Sequence, residues 1–168
     1  QDPRVRRLAT EFACAWLHIH GFDQQGEKSE KHFPTFNSVK GALYEESIQF
    51  FTDFFQNKRP VLNLLNSNDM FVNDQLAKHY GIPGISGKEF RKISDAEKYQ
   101  RGGILGLGAT LAQHSGASRT SPILRGNWIS EVLLGERLPK PPKDVPQLPE
   151  GDSIINLSMR EITEKHTS

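Results

Sequence analysis

Six histidines are the first residues in this chain that chemistry could use. A metal site needs at least two of them on one face. His18 and His20 are two apart in a helical pattern, so they point about 200° apart and cannot hold one ion together. His79 ends a helical segment beside Tyr80, where a donor side chain satisfies terminal carbonyls. His32 and His114 have no partner at ligand spacing, and His166 lies close to the last residue. Nucleophilic chemistry would draw on Ser118, Thr120 and Ser121 in "GASRTSP", yet no Gly-x-Ser-x-Gly elbow surrounds them and helix capping accounts for Thr120 or Ser121. Glu45 and Glu46 are neighbours on a helix and splay apart, which reads as a solvated or salt-bridged face rather than an acid–base pair. "GGILGLG" lacks the Gly-Lys-Ser/Thr ending of a phosphate loop. Arg125 stands among apolar neighbours on a helix. A buried guanidinium there needs a carboxylate or helix-end carbonyls, and Trp128 is placed to stack on it.

The elements that must position these residues read as helices. Asp2 and Pro3 start the first, Gly21 stops it, and Val5, Leu8, Phe12, Ala15, Trp16 and Ile19 form its apolar stripe. A long helix runs from about Asn37 to Asn57 with Val39, Leu43, Ile48, Phe51, Phe54 and Phe55 inward. Another begins at Asn68 or Asp69 and stops at Gly81; a loop with one short extended piece, Phe90–Ile93, follows it. "RGGILGLGATLAQHS" reads as a tightly packed helix whose glycines let a neighbour approach closely. A compact structural block comes next. Thr120, Ser121 and Pro122 open a helix carrying Arg125, Gly126 and Trp128, and Gly135 closes it. Pro139, Pro141, Pro142, Pro146 and Pro149 then hold the chain extended as a strap. "NLSMREITEKHTS" has the look of a further helix cut off soon after its start. The fold class expected is all-α: an irregular bundle of about five to seven helices with an extended proline-rich C-terminal strap. Its parts are an N-terminal helical region, 1–66, and a C-terminal one, 67–168, forming one compact unit that shares a core and is excised from a larger protein.

At 168 residues the chain can bury a sizeable core without staples. Its net charge of +1 and the absence of long like-charge runs argue against a nucleic-acid partner. No apolar run approaches the roughly 18 residues of a membrane span. Gln1 is not an initiator methionine, so a processed or excised N-terminus is expected. The single cysteine, Cys14, excludes an internal disulfide, a two-cysteine zinc knuckle and a covalently attached c-type haem within this sequence, and its own role is not legible.

Four blocks in order, "FVNDQLAKHYGIPG", "RGGILGLGATLA", "TSPILRGNWISEVLLGERLPKPPKDVP" and "LSMREITEKHTS", resemble a family of large secreted multidomain proteins. These are abundant in planctomycetes and related bacteria and are known as adjacent domains of unknown function. "FACAWLHI", "FPTF" and "LYEESIQFF" resemble the earlier of the two domains. In the family, the helix resembling "MREITEKHTS" leads into a Cys-x-x-Cys-His motif, the attachment signature of c-type haem. The resemblance implies an extracytoplasmic, periplasmic or secreted, cytochrome c-like protein. No cofactor is covalently bound in this chain itself, and c-type haem is expected in the intact protein. Candidates to lie near that haem module are His79, Tyr80, Arg125, Trp128 and His166. The partners implied are other domains or chains of the same protein and a redox partner. The function expected is a non-catalytic scaffold that positions or shields the haem module, with a part in electron transfer. The alternative is the substrate-binding part of a haem-linked oxidoreductase acting on carbohydrate, which calls for a pocket lined by Trp16, Tyr80 or Trp128 together with acids. A third reading makes the chain a protein-docking module that uses the proline tail.

Overall fold

The computed structural model describes residues 2–24 and 28–139, with 157–158, 160–162 and 164 near the C-terminal end. Its first helix starts where Asp2 accepts the backbone N–H of Arg4 at 2.9 Å. α1 (Arg4–Leu8) continues through a π-helical turn, Ala9–Ala13, into α2 (Cys14–Trp16). The helix ends before the expected stop at Gly21, because His18 takes a left-handed φ of 59° and the Ile19 N–H returns to the Cys14 carbonyl at 2.8 Å. The buried face differs too. Ala9, Ala13, Cys14 and Leu17 are buried, while Leu8 and Phe12 of the expected stripe are exposed. The π turn carries more residues per turn than an α-helix, so it rotates the stripe, and small side chains let this helix lie close to its neighbour.

That neighbour is α3 (Phe36–Gln56), 21 residues and about 31 Å long, and it is the axis of the molecule. Val39, Leu43, Ile48 and Phe51 are buried as the periodicity requires. After the short α4 (Asn63–Asn66) comes β1 (Met70–Val72), then α5 (Asp74–Tyr80). β1 pairs antiparallel with β2 (Arg91–Ile93), Met70 facing Ile93 and Val72 facing Arg91. The helix expected from Asn68 is thereby corrected: it begins at Asn73, whose side chain accepts the Leu76 N–H at 2.9 Å, and ends at Gly81 with φ 71°. Met70, Phe71 and Val72 are all buried, so the strand shows no alternation and its residues merge with the helix that follows. The extended piece expected at Phe90–Ile93 is β2. The fold is mostly helical with this one two-stranded sheet among the described residues.

The glycine-rich stretch forms two short helices, α6 (Gly103–Gly106) and α7 (Gly108–Gln113), separated by extended Leu107. Its glycines serve close approach: a Cβ on Gly108 would run into the Tyr80 hydroxyl and the Leu43 side chain. In α8 (Pro122–Trp128), Ser121 Oγ accepts the Leu124 N–H at 3.2 Å and Pro122 occupies the first turn. A π turn, Ile129–Leu133, extends α8, and Gly135 follows with φ 69°. Pro139 is exposed, whereas Pro141, Pro142 and the rest of the strap lie outside the described residues. Near the C-terminal end Ser158 and Glu161 cap each other, with Glu161 Oε2 accepting the Ser158 N–H at 2.7 Å and Ser158 Oγ accepting the Glu161 N–H at 3.3 Å. Ile162 beyond them is buried.

α3 packs against α1, α5, α7 and β1, so segments distant in sequence share one hydrophobic cluster. Two ionic ties anchor it. At its middle, Glu45 takes a two-pronged bond from Arg6 on α1 at 2.8 and 2.7 Å. Near its C-terminal end Arg59 and Lys92 bridge Asp53 and Asp69, with the Arg59 contacts at 2.8 and 2.7 Å. Burial pushes the Asp69 carboxyl up, but hydrogen bonds from Lys92 and Arg59 outweigh it and hold the group below its ordinary value.

Candidate functional site

Glu45 and Glu46 splay apart as their spacing requires, but only one of them is solvated. Glu45 turns outward to Arg6, whereas Glu46 is 2% exposed in the middle of α3. Its Oε2 accepts the Tyr80 hydroxyl at 2.7 Å and the Gly108 backbone N–H at 3.2 Å. One carboxylate oxygen thus ties α3 to the last residue of α5 and the first residue of α7. Arg101 completes the cluster: its guanidinium carbon lies 3.9 Å from the Tyr80 ring centroid, and its Nη1 donates to the Gly106 carbonyl at 3.1 Å. Burial drives the Glu46 carboxyl up to about 7, opposed by the two hydrogen bonds and by the charge on Arg101. Burial and the neighbouring Glu46 push the Tyr80 phenol well above its ordinary value. At neutral pH the cluster holds a carboxyl poised between its two states and a phenol that keeps its proton. Glu46 carried a signal in the sequence that is clear in retrospect, since it falls on the Val39, Leu43, Phe50 face at helical spacing.

A cleft of about 200 Å³ opens beside this cluster. Tyr80, His79 and Arg125, three of the residues singled out by sequence, line it together with Arg101 and Lys28, which were not. Lys28 Nζ donates to the carbonyls of Ser115 and Gly116 and to Ser115 Oγ, at 2.8 to 3.2 Å. His79 is exposed, 5.5 Å from the Tyr80 ring, and burial of its inner edge with Arg101 nearby lowers its pKa. Arg125 Nη2 donates to the Leu111 carbonyl in α7 at 3.3 Å, a carbonyl partner of the kind its surroundings demand. The Trp128 ring stacks on His114 rather than on Arg125, at 4.7 Å and 23°. His114 Nε2 lies 3.3 Å from the Leu17 carbonyl, so this stack pins α7 and α8 to the end of the first helix. Trp128, Thr110 and Arg125 line a second cavity of about 80 Å³. His166 lies outside the described residues.

The arrangement limits the chemistry on offer. Among the described residues the cleft beside Tyr80 has no Asp or Glu on its lining, so they do not supply the convergent acids of a carbohydrate site. Trp16 is half-buried against the core and Trp128 is buried, so of these three rings Tyr80 lines the cleft, beside Phe33 and Phe36. Among the described residues no group of three His, Cys, Asp or Glu is placed to hold a metal ion. Cys14 is buried, with its thiol pushed up to about 12, which makes it an inert core residue near neutral pH. A lone buried cysteine does not fit covalent attachment of a c-type haem, which takes two cysteines. No described helix is long and apolar enough to cross a membrane.

Comparison with known proteins places these observations. No curated protein and no solved structure matches the chain. Residues 1–82 match the family model described as PSD4, a protein of unknown function (DUF1592). Residues 101–168 match that described as PSCyt3, a protein of unknown function (DUF1588). Gly108, Arg101 and Arg125 come from the second segment, Glu46 and Tyr80 from the first, so the central cluster is assembled across the two. Family likeness therefore covers residues 1–82 and 101–168, PSD4 in front and PSCyt3 behind, two adjacent domains of unknown function in one chain.

Proposed function

We propose that this chain is a non-catalytic helical region of an extracytoplasmic, cytochrome-associated multidomain protein, where it positions or shields a c-type haem module that follows it. The observation that carries this reading is the central cluster. Its carboxylate is spent on a phenol and a backbone amide, and its arginine on a ring face and a carbonyl. Within this cluster no nucleophile is set against a base, so we read these groups as joining the PSD4 and PSCyt3 segments rather than performing a reaction. The PSCyt3 name and the resemblance of "MREITEKHTS" to the run-up to a haem motif support the haem neighbour.

The test is the intact gene product made in a host that attaches c-type haem. A Soret band and a haem-stained polypeptide are expected, together with faster reaction of the reduced haem with oxygen once residues 1–168 are removed. A product without haem, or one whose haem reacts equally fast without this region, would sink the proposal. The alternative, a substrate-binding part of a haem-linked oxidoreductase, draws on the Tyr80 cleft and predicts substrate-dependent haem reduction that a filled cleft abolishes. The docking reading rests on proline residues outside the described part of the chain.

A further inference from the structure

Two half-buried arginines, Arg101 and Arg125, line the cleft beside Tyr80, and neither has a carboxylate within ion-pair distance among the described residues. Arg101 uses one guanidinium nitrogen on the Gly106 carbonyl and lays its plane on Tyr80. Arg125 uses one on the Leu111 carbonyl, and its Nε is buried with no protein hydrogen-bond partner. Each guanidinium offers five N–H donors in a planar fork that matches a carboxylate, and one carbonyl leaves most of them open to such a partner. Lys28 is on the lining too, with its ammonium engaged by Ser115 and Gly116. Among the described residues the nearby carboxyl is Glu46, which sits behind Tyr80 and is already committed to two donors. The rest of the wall is apolar: Phe33, Phe36, Val39, Leu43, Leu111 and Ala112.

From this juxtaposition we infer that the cleft is a binding site for a small organic carboxylate, its head between Arg101 and Arg125 and its apolar body against Val39, Leu43 and Ala112. The size fits, since an apolar cavity of about 150 Å³ accepts benzene, and this cleft of about 200 Å³ has room for such a ring with a carboxylate attached. Carbohydrates do not suit it, because the lining offers cations and methyl groups where a sugar wants acids and amides. The site stands on the geometry of this chain alone and does not rest on the haem reading.

The experiment titrates the whole chain with benzoate, with neutral benzamide of the same shape, and with inorganic phosphate, followed by calorimetry and by amide chemical shifts. Benzoate is expected to saturate one site and to shift Leu43, Tyr80 and Ala112. Benzamide should bind at least tenfold more weakly for want of the charge, and phosphate at least tenfold more weakly for want of the apolar body. Arg125→Gln should weaken benzoate at least tenfold while its melting temperature stays near that of the wild type. Ala112→Phe, which puts a ring into the apolar end, should abolish binding in a protein that still shows the native circular dichroism. The two variants act by different means, so either folded variant decides the matter. The inference is overturned if benzoate fails to saturate, if benzamide or phosphate binds as well, or if a folded variant binds benzoate like the wild type.

Discussion

Replacing Glu46 by Gln tests the central cluster through its pH dependence. The carboxyl rises from an ordinary value of 4.5 to about 7 on folding, because burial outweighs the hydrogen bonds from Tyr80 and Gly108 and the charge of Arg101. A folded value above the unfolded one means that the native state holds its proton more tightly. The stabilisation is therefore complete below pH 4.5 and is lost as pH rises to about 7, with nothing further lost above that. Each pH unit is worth about 1.4 kcal/mol, so the full change is about 3 kcal/mol between acid and neutral pH. Gln has nearly the same shape and its oxygen can accept from Tyr80 and Gly108, but it cannot ionise. Denaturant unfolding from pH 4.5 to 8 should show wild-type stability falling relative to Glu46→Gln by about 3 kcal/mol across that window. At the acid end the variant is expected to be the weaker of the two, since its amide must find an acceptor in a buried site. If the difference between the proteins does not move with pH, Glu46 is not held up by burial. If it moves the other way, the charge of Arg101 outweighs desolvation and the reading of the cluster is wrong.

Four further outcomes follow from particular contacts. Gly108→Ala drives a methyl group into Tyr80 and Leu43 and should cost about 1–3 kcal/mol in chemical denaturation, whereas Gly126→Ala, on α8 with open space around it, should gain up to about 1 kcal/mol. Asn73→Ala removes the acceptor for the Leu76 N–H and should cost about 1 kcal/mol, lowering the melting temperature with the sheet still in place. Cys14 should react with a thiol reagent at pH 8 no faster than the chain unfolds, because it is buried and its thiol is pushed up to about 12; prompt labelling of the native protein would show that the first helix opens locally.

Local signals were strong enough where one segment decided its own structure. The apolar spacing of α3, the Ser121–Pro122 start of α8, the Gly81 stop of α5 and the serine–glutamate pair at Ser158 are all consequences of residues within a turn or two of one another. Reading failed where the partner was distant. Met70–Val72 is a strand because Arg91–Ile93 supplies its hydrogen bonds, and three consecutive buried residues carry no period of their own. On the first helix large apolar residues do not mark the inward face: Leu8 and Phe12 are exposed, and Ala9, Ala13, Cys14 and Leu17 pack inward.

The candidate site divides along the same line. Sequence alone singled out His79, Tyr80, Arg125 and Trp128, and by itself it determined the helices that carry them and the single cysteine that bars a disulfide. The tertiary structure decided which of them meet: His79, Tyr80 and Arg125 share a cleft, while Trp128 turns to His114. It also decided that, of two adjacent glutamates, Glu45 faces Arg6 and Glu46 is buried under Tyr80. Neighbours on a helix differ by about 100° in direction, and which direction is inward depends on what packs there. That packing comes from residues 34 and 62 positions away, brought close by the folding of the whole chain.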